Sequence, residues 1–504
     1  MPGNFLALVD TLRIHDYVFG STELKQIRGA SQLLDNCTND KWRAKIASWK
    51  GEEVFCRGGN AIARFQTDEQ ASGFCREAKA LLERRTGTGR AAVHVEPRRD
   101  QEEFPGSGTG SWMQRAVDGL NRTKQRGLPP ERGDQNPFAR FCDVCGVRSA
   151  ERQLPGAPAA NWVCRSCFSK GSRGGGEAPR SYWFHAFAES EAAQGGLWAN
   201  AVKAPRDLNQ LGSFGRPDGY LGFVYLDINR LSALLGKVDH QDEYKALSKA
   251  VQQSVERAVY HALAEVLAPR EGNGAWIAPF EIFLIGGDDA TLALPAQCAA
   301  GFAEKFFEHF DRLFPESVDG PTAERTAQWR EKYAQAPPKV SLAIVFSHAR
   351  FPVYMAIDRA TELLRGAKAR AYQLGGSHMV DYLVVTNAME REIADLRREQ
   401  YRDASGNSRV WRPFALDEFR RARGLSELMK SLPRTKVAAL FDLMFGGTYQ
   451  STLDYCYWLM RLEGEQRDVF RKRMKDDWDI VAAPFDKHGL SPLIDAIELA
   501  DFLR

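Results

Sequence analysis

No apolar run in the sequence approaches the roughly 20 residues a membrane-crossing helix needs, so no membrane span is expected. The opening residues, MPGNFLALVDTLRIHDY, lack a basic segment, and their apolar run breaks at Asp10, which argues against a secretory signal. Charge of one sign is also missing. The net charge of the 504 residues is +3, too small to mark a nucleic-acid binder by itself. PGSGTGS, at residues 105–111, is not followed by Lys-Ser or Lys-Thr and reads as a loop rather than a phosphate cradle. Cysteine is sparse: nine residues, with no secretory signal, predict reduced thiols plus a metal site in a cytoplasmic chain.

What is present is ordinary for a globular protein, with 44% hydrophobic and 26% charged residues. The length predicts about three or four domains. Residues 1–96 alternate strand-like runs (NFLALVD, EVFCRGGNAIARF) with helical ones (ELKQIRGASQLLDN, DEQASGFCREAKALLERR). Residues 97–139 turn to Gly, Pro, Arg and acids and read as an irregular linker. A module at 140–175 and a connector at 176–215, entered through GSRGGGE, follow. Residues 216–385 read as βαββαβ, from GYLGFVYLDINRL to MVDYLVVT, and 386–504 as a helical bundle broken at Pro413, Pro433 and Pro484.

The module carries Cys142 and Cys145, then Cys164 and Cys167, with eighteen residues between the pairs. Two such knuckles supply the four thiolates of a structural zinc and leave no open position for catalysis. The other five cysteines, Cys56 and Cys298 among them, read as packing residues. Arg140, Arg148, Arg152, Arg165, Lys170 and Arg173 outnumber Asp143 and Glu151, which reads as a solvated basic face or a nucleic-acid contact.

The most informative stretch is FEIFLIGGDDATLALP, residues 280–295. A tight turn needs one glycine or aspartate, whereas adjacent carboxylates repel unless a cation lies between them. In a βαββαβ unit the end of the first strand, Asp227, lies beside that hairpin. Asp227, Asp288 and Asp289 therefore form a candidate site for two Mg2+ or Mn2+ ions. Gly286 and Gly287 would let a triphosphate approach the backbone, and Lys368 or Arg365, one turn earlier, would neutralise phosphate charge.

The same unit is written twice. FLALVDTLRI lies against GFVYLDINRL, matching Asp10 with Asp227 and Arg13 with Arg230. GGNAIARF lies against GGDDATLAL, setting Asn60 on Asp288 and Ala61 on Asp289. The first copy is expected to keep the shape and lose the metals.

Together, DINRL, LIGGDDATLALP, KVSLAIVFSH and ATELLRGAKARA resemble the second palm domain of the large subunit of type III CRISPR effector complexes. DYVFGSTELKQIRGASQLLD and GGNAI resemble its first. The resemblance implies an α+β chain with two ferredoxin-like (βαββαβ) palm domains, a zinc module between them and a C-terminal helical domain. It implies synthesis of a cyclic oligoadenylate from ATP, with release of pyrophosphate, in antiviral defence. One ATP would lie on Asp227, Asp288 and Asp289, and a second nucleotide near Gly58, Gly59 and Asn60. Guide or target RNA and other effector subunits are the implied partners. Family members often begin with an HD nuclease domain; His15-Asp16 spells HD without further histidines at the needed spacings, and no nuclease role is expected. Two rivals remain. One is a stand-alone synthase of cyclic dinucleotides or a user of GTP, for which a homo-oligomer is an open alternative. The other is an RNA-binding scaffold, using the arginines, Tyr401 and Trp411 of RREQYRDASGNSRVWRPF.

Overall fold

The computed structural model describes residues 4–99, 102, 104, 110–126, 138–154, 161–171, 181–200, 202–238, 240–272, 274–385, 392–404 and 406–503. Most of PGSGTGS and GSRGGGE, and Arg173, lie outside them.

The first unit is β1 (Phe5–Leu12), α1 (Leu24–Asp35), β2 (Glu52–Arg57), β3 (Asn60–Phe65), α2 (Asp68–Thr86) and β4 (Arg90–Pro97). Its antiparallel sheet has the order β2–β3–β1–β4, the ferredoxin-like arrangement expected. The start of α2 shows how local residues set an element. Thr67 accepts from the Gln70 amide, and the Gln70 side chain reaches back to the Thr67 amide, closing a capping box. Asp68 and Glu69 in the first turn, with Arg84 and Arg85 in the last, complement the helix dipole. The stretch 97–139, expected to be irregular, contains a further helix, α3 (Trp112–Gln125), capped by Ser111 and packed on β4 and β1.

The second unit is β5 (Tyr220–Ile228), α4 (Gln241–Val266), β6 (Glu281–Ile285), β7 (Asp289–Pro295), α5 (Ala296–Glu316), β8 (Val340–His348), α6 (Val353–Gln373) and β9 (Met379–Val384). With β10 (Phe414–Ala415) its sheet runs β6–β7–β5–β8–β9–β10. The fourth strand of the ferredoxin-like core is thus β8. The run MVDYLVVT, expected to close the unit, is an added strand, parallel to β8 and reached through α6. Parallel pairing requires such a crossover, which is why a helix intervenes.

Alternation along the central strands joins the two units into one interior. Leu6 and Leu8 share a buried cluster with Val224, Leu226 and Ile228, while Ala7 and Val9 share another with Leu221, Phe223 and Tyr225. Opposite faces of each strand therefore contribute to two common cores. A bidentate pair adds a polar clamp: Arg28 of α1 donates to Glu281 of β6 at 2.9 and 2.5 Å, with the Glu281 side chain fully buried.

The Cys-bearing module packs on α1 through the helix Arg165–Gly171. At Gly29 a Cβ would lie 1.9 Å from the Lys170 carbonyl oxygen, so only glycine permits this contact. Lys170, counted on a solvated basic face from sequence, is instead buried, its ammonium donating to the Tyr17 carbonyl and lying over the Tyr17 ring. Arg140 pairs with Asp143, and Arg152 lies over Phe168.

The C-terminal part is helical, as expected, and packs on the second sheet through the helix Pro492–Leu503. Much of the segment read as an aromatic and basic RNA surface turns inward instead, although Arg398 and Arg402 stay exposed. Arg397 binds Asp381, Arg409 binds Asp403, Arg412 sits between Asp495 and Glu498, and Tyr401 is buried. Composition hid this because charges paired in an interior look like surface charges in a sequence. Cys56 is buried as expected, whereas Cys456 is exposed.

Candidate active site

The β6–β7 and β2–β3 hairpins meet tip to tip. Gly58, at φ 62°, lies so close that a Cβ there would come within 1.5 Å of the Gly286 carbonyl oxygen. On one side of this contact is a cavity of 380 Å³ lined by Thr11, Arg13, Asn60, Gly286, Asp288 and Asp289. On the other is one of 320 Å³ lined by Asp10, Asn60, Lys124, Gly286, Gly287 and Asp288. Gly58, Gly59 and Asn60 thus line one cavity with Gly286, Asp288 and Asp289.

The backbone defines which residues correspond. Asp10 faces Asn60 across β1–β3 as Asp227 faces Asp289 across β5–β7. The Thr11 amide donates to the Gly59 carbonyl at 2.8 Å, and the Ile228 amide donates to the Asp288 carbonyl at 3.1 Å. Asn60 is therefore the counterpart of Asp289, and Gly59 that of Asp288. This corrects the letter-by-letter alignment by one position: Ala61 corresponds to Ala290, each paired one step back along its neighbouring strand. Matching Gly-Gly to Gly-Gly failed because Gly286 is already the last paired residue of its arm, its amide donating to the Asp289 carbonyl at 2.9 Å. Arg13 and Arg230, three residues beyond the aspartates, both adopt left-handed backbone, with φ of 52° and 55°.

The three carboxylates are neighbours without being superposed. Lys368 holds the Asp227 carboxylate at 2.6 Å, drawing it toward α6. Among the described residues, only the four cysteines bring three or more potential ligand atoms within 4.8 Å of one another. Burial raises the Asp227 carboxyl above its usual range despite Lys368. Burial and then the Asp227 charge raise Asp288 to about 6, and burial with both neighbours raises Asp289 to about 8. The Tyr225 hydroxyl donates to Asp289 at 3.3 Å, and its own ionisation is pushed upward by burial and by these carboxylates. Oxygen donors that resist carrying charge together are the donor set that hard divalent cations suit.

Sequence reasoning missed three participants. Tyr225 precedes Asp227 by two positions, so strand alternation places it on the same face. His15 packs edge-on against Tyr225, ring centroids 4.8 Å apart, and lines the 380 Å³ cavity with Asp16; burial lowers its ionisation range. Lys124 of α3 forms an ion pair with Asp10. Arg365 lies exposed on α6, outside the residues lining either cavity. At the module, the Sγ atoms of Cys142, Cys145, Cys164 and Cys167 all lie within 4.8 Å of one another. Four thiolates so placed can hold a metal ion, and tetrahedral zinc prefers that donor set.

Two ferredoxin-like sheets, opposed at their hairpins and separated along the chain by a four-cysteine knuckle, define a paired-palm protein. Residues 220–373 match the family model described as Cas10/Cmr2, second palm domain. No curated protein matches the chain. Among solved structures, Csm1 of T. onnurineus shares its fold with a TM-score of 0.53 at 15% identity, over 99% of this chain and 70% of that one. Csm1–Csm4 cassettes solved with AMPPNP and with cA4 each give a TM-score of 0.56, at 14% and 13% identity, over 99% of this chain and 70% of theirs. No helix among the described residues is long and apolar enough to cross a membrane.

Proposed function

We propose that the chain is a metal-dependent nucleotidyltransferase that joins ATP molecules and closes them into a cyclic oligoadenylate, acting in type III CRISPR defence. The observation that carries this reading is the in-register pairing of Asp227 with Asp289, beside Asp288, at a hairpin tip that faces a second, metal-poor hairpin across a nucleotide-sized cavity. The Csm1–Csm4 cassettes of like fold were solved with an ATP analogue, a linear pppApA and the cyclic cA4, which supports the substrate and product class. The same relatives support a Csm4-like partner subunit.

Asp227, Asp288 and Asp289 would hold one or two Mg2+ or Mn2+ ions, which supply Lewis-acid activation of a hydroxyl and compensation of phosphate charge. Gly286 and Gly287 leave room for a triphosphate at the hairpin backbone. Lys368, once released from Asp227, neutralises charge on the phosphates. Gly58, Gly59 and Asn60 position the second nucleotide. Its 3′-oxygen forms a bond to the α-phosphorus of the first; the bond from that phosphorus to pyrophosphate breaks, and the hydroxyl proton leaves to solvent. Repetition lengthens the chain, and attack by the terminal 3′-hydroxyl on its own 5′ α-phosphorus closes the ring, breaking the bond to the last pyrophosphate and releasing the hydroxyl proton to solvent. Cys142, Cys145, Cys164 and Cys167 would hold a structural zinc.

The test is incubation of the purified chain with Mg2+ and each labelled nucleoside triphosphate, with and without candidate target RNA and a Csm4-type subunit. Ring products from ATP that vanish in Asp288→Ala and Asp289→Ala variants are expected. Tight RNA binding with no product under any condition would replace the cyclase with a scaffold.

A further inference from the structure

Two cavities adjoin along the connection from β1 to α1. The 380 Å³ cavity at the hairpin tips and another of 370 Å³ share His15 and Asp16 in their linings. The 370 Å³ cavity draws its walls from three parts of the fold: Phe19 from that connection, Val144 and Val147 from the cysteine knuckle, and Tyr354, Ile357 and Asp358 from the start of α6. Helical spacing sets Tyr354 and Asp358 one turn apart on the same face. The same helix carries Lys368 to Asp227, and the rise from position 358 to position 368 is about 15 Å. This cavity therefore lies one step away from the paired carboxylates of the hairpin.

Its chemistry is not that of a phosphate site. None of the described residues lining it is a lysine or arginine, while Asp16 and Asp358 bring carboxylate acceptors from two of its walls. The two are close enough to interact: burial, and then the Asp16 charge, raise the Asp358 carboxyl above its usual range. Tyr354, 45% exposed, and Val147, 69% exposed, leave apolar surface uncovered beside the buried Phe19 and Ile357. Apolar walls with an aromatic ring and carboxylate acceptors suit a planar group that bears N–H donors, a nucleobase with an exocyclic amine. A cation stands where the two cavities meet. Arg13 lines the 380 Å³ cavity, lies 3.9 Å from Asp16, and keeps its side chain 76% exposed.

On the function proposed above, one nucleotide sits at Asp227, Asp288 and Asp289, and a second, the acceptor, beside Gly58, Gly59 and Asn60. A chain longer than two must place a further nucleotide 5′ to that acceptor. We propose that the 370 Å³ cavity is the subsite for this nucleotide: its adenine enters between the cysteine knuckle and α6, stacks on Tyr354 and donates its amine to Asp358, while Arg13 holds the phosphate that joins it to the acceptor. This rests on the cyclase reading and adds to it a site that acts only from the third nucleotide on. Tyr354 and Asp358 are binding residues and take no part in making the first bond.

The test separates two steps on the full chain, under the conditions in which it converts ATP: formation of pppApA from ATP, and elongation of supplied, labelled pppApA. Tyr354→Ala and Asp358→Ala should leave the first rate within about twofold and raise the KM for pppApA in the second by about tenfold, the scale of one lost stacked base. Tyr354→Phe, which keeps the ring, should elongate as the wild type does. A primer whose 5′ base is hypoxanthine, which lacks the amine, should show a raised KM with the wild type and no further rise with Asp358→Ala. Unchanged elongation in both alanine variants, or equal losses at the two steps, overturns the subsite and leaves the cyclase standing. A wild-type chain that neither makes pppApA nor extends it overturns both.

Discussion

The first and second palms hold the same backbone to different ends. Both place an aspartate at the end of the first strand, a left-handed arginine three residues later, and a lysine from a following helix on that aspartate. They part at two positions: Gly59 and Asn60 in one, Asp288 and Asp289 in the other. Two side chains thus separate a hairpin tip that carries paired carboxylates from one that carries none. On the function proposed above, the shared backbone is a frame for holding nucleotides, and the hairpin tip decides where the chemistry happens.

The largest test of that contrast is catalytic. Asp289→Ala should lower cyclase turnover by about 10³-fold, the scale of removing one transition-state electrostatic contact. Asn60→Ala, at the equivalent position, should cost less than about tenfold. Equal losses at both positions, measured as initial rates with labelled ATP, would mean the palms share the chemistry and the division drawn here is wrong.

Next comes the clamp between the palms. Arg28→Ala leaves the buried Glu281 carboxylate without its bidentate partner and should destabilise the fold by about 3–5 kcal/mol. Chemical denaturation reads this directly. The double change Arg28→Met/Glu281→Leu should recover much of that loss, because paired apolar groups need no counter-charge.

The hairpin contact gives a smaller, asymmetric effect. Gly58→Ala adds a methyl against the Gly286 carbonyl at positive φ and should cost about 3 kcal/mol, from overpacking plus the left-handed penalty. Gly287 also has positive φ, at 120°, but a Cβ there meets nothing within 4 Å. Gly287→Ala should therefore cost only about 1–2 kcal/mol. Comparable melting shifts would show that the tips do not touch in solution.

What the sequence disclosed follows from which physical signals are local. Strand ends at Asp10 and Asp227, with Arg13 and Arg230 in step, were readable because a buried apolar run ending in a charge is itself a pattern. The four cysteines were readable because thiolate geometry demands their spacing. The offset between GGNA and GGDD was not, since it depends on which amide meets which carbonyl across the hairpin. Lys124 was missed because acids, glycine and proline on either side of α3 gave the whole stretch the composition of a linker. Arg409 and Arg412 misled for the opposite reason: their partners Asp403, Asp495 and Glu498 are brought to them only by folding.

The smallest effect lies where the second palm has something the first lacks, the added strand β9. His378, just before it, is buried; its Nδ1 accepts from the Val340 amide at 3.1 Å and its Nε2 donates to Asp311 at 3.0 Å. With Nδ1 committed as an acceptor, the ring is held neutral. Burial lowers its ionisation range, and neighbouring Lys339 adds to this, while Asp311 opposes both. A histidine whose folded range lies below its unfolded value of about 6.5 contributes stability above that pH and loses it as the pH falls. The melting temperature should therefore decline as buffer is taken below about pH 6.5, and His378→Gln, which can still accept from Val340, should flatten that decline. An unchanged slope in the variant would assign the acid sensitivity to carboxylates elsewhere, and the added strand would then carry no proton-linked role in joining the second palm to the helical domain.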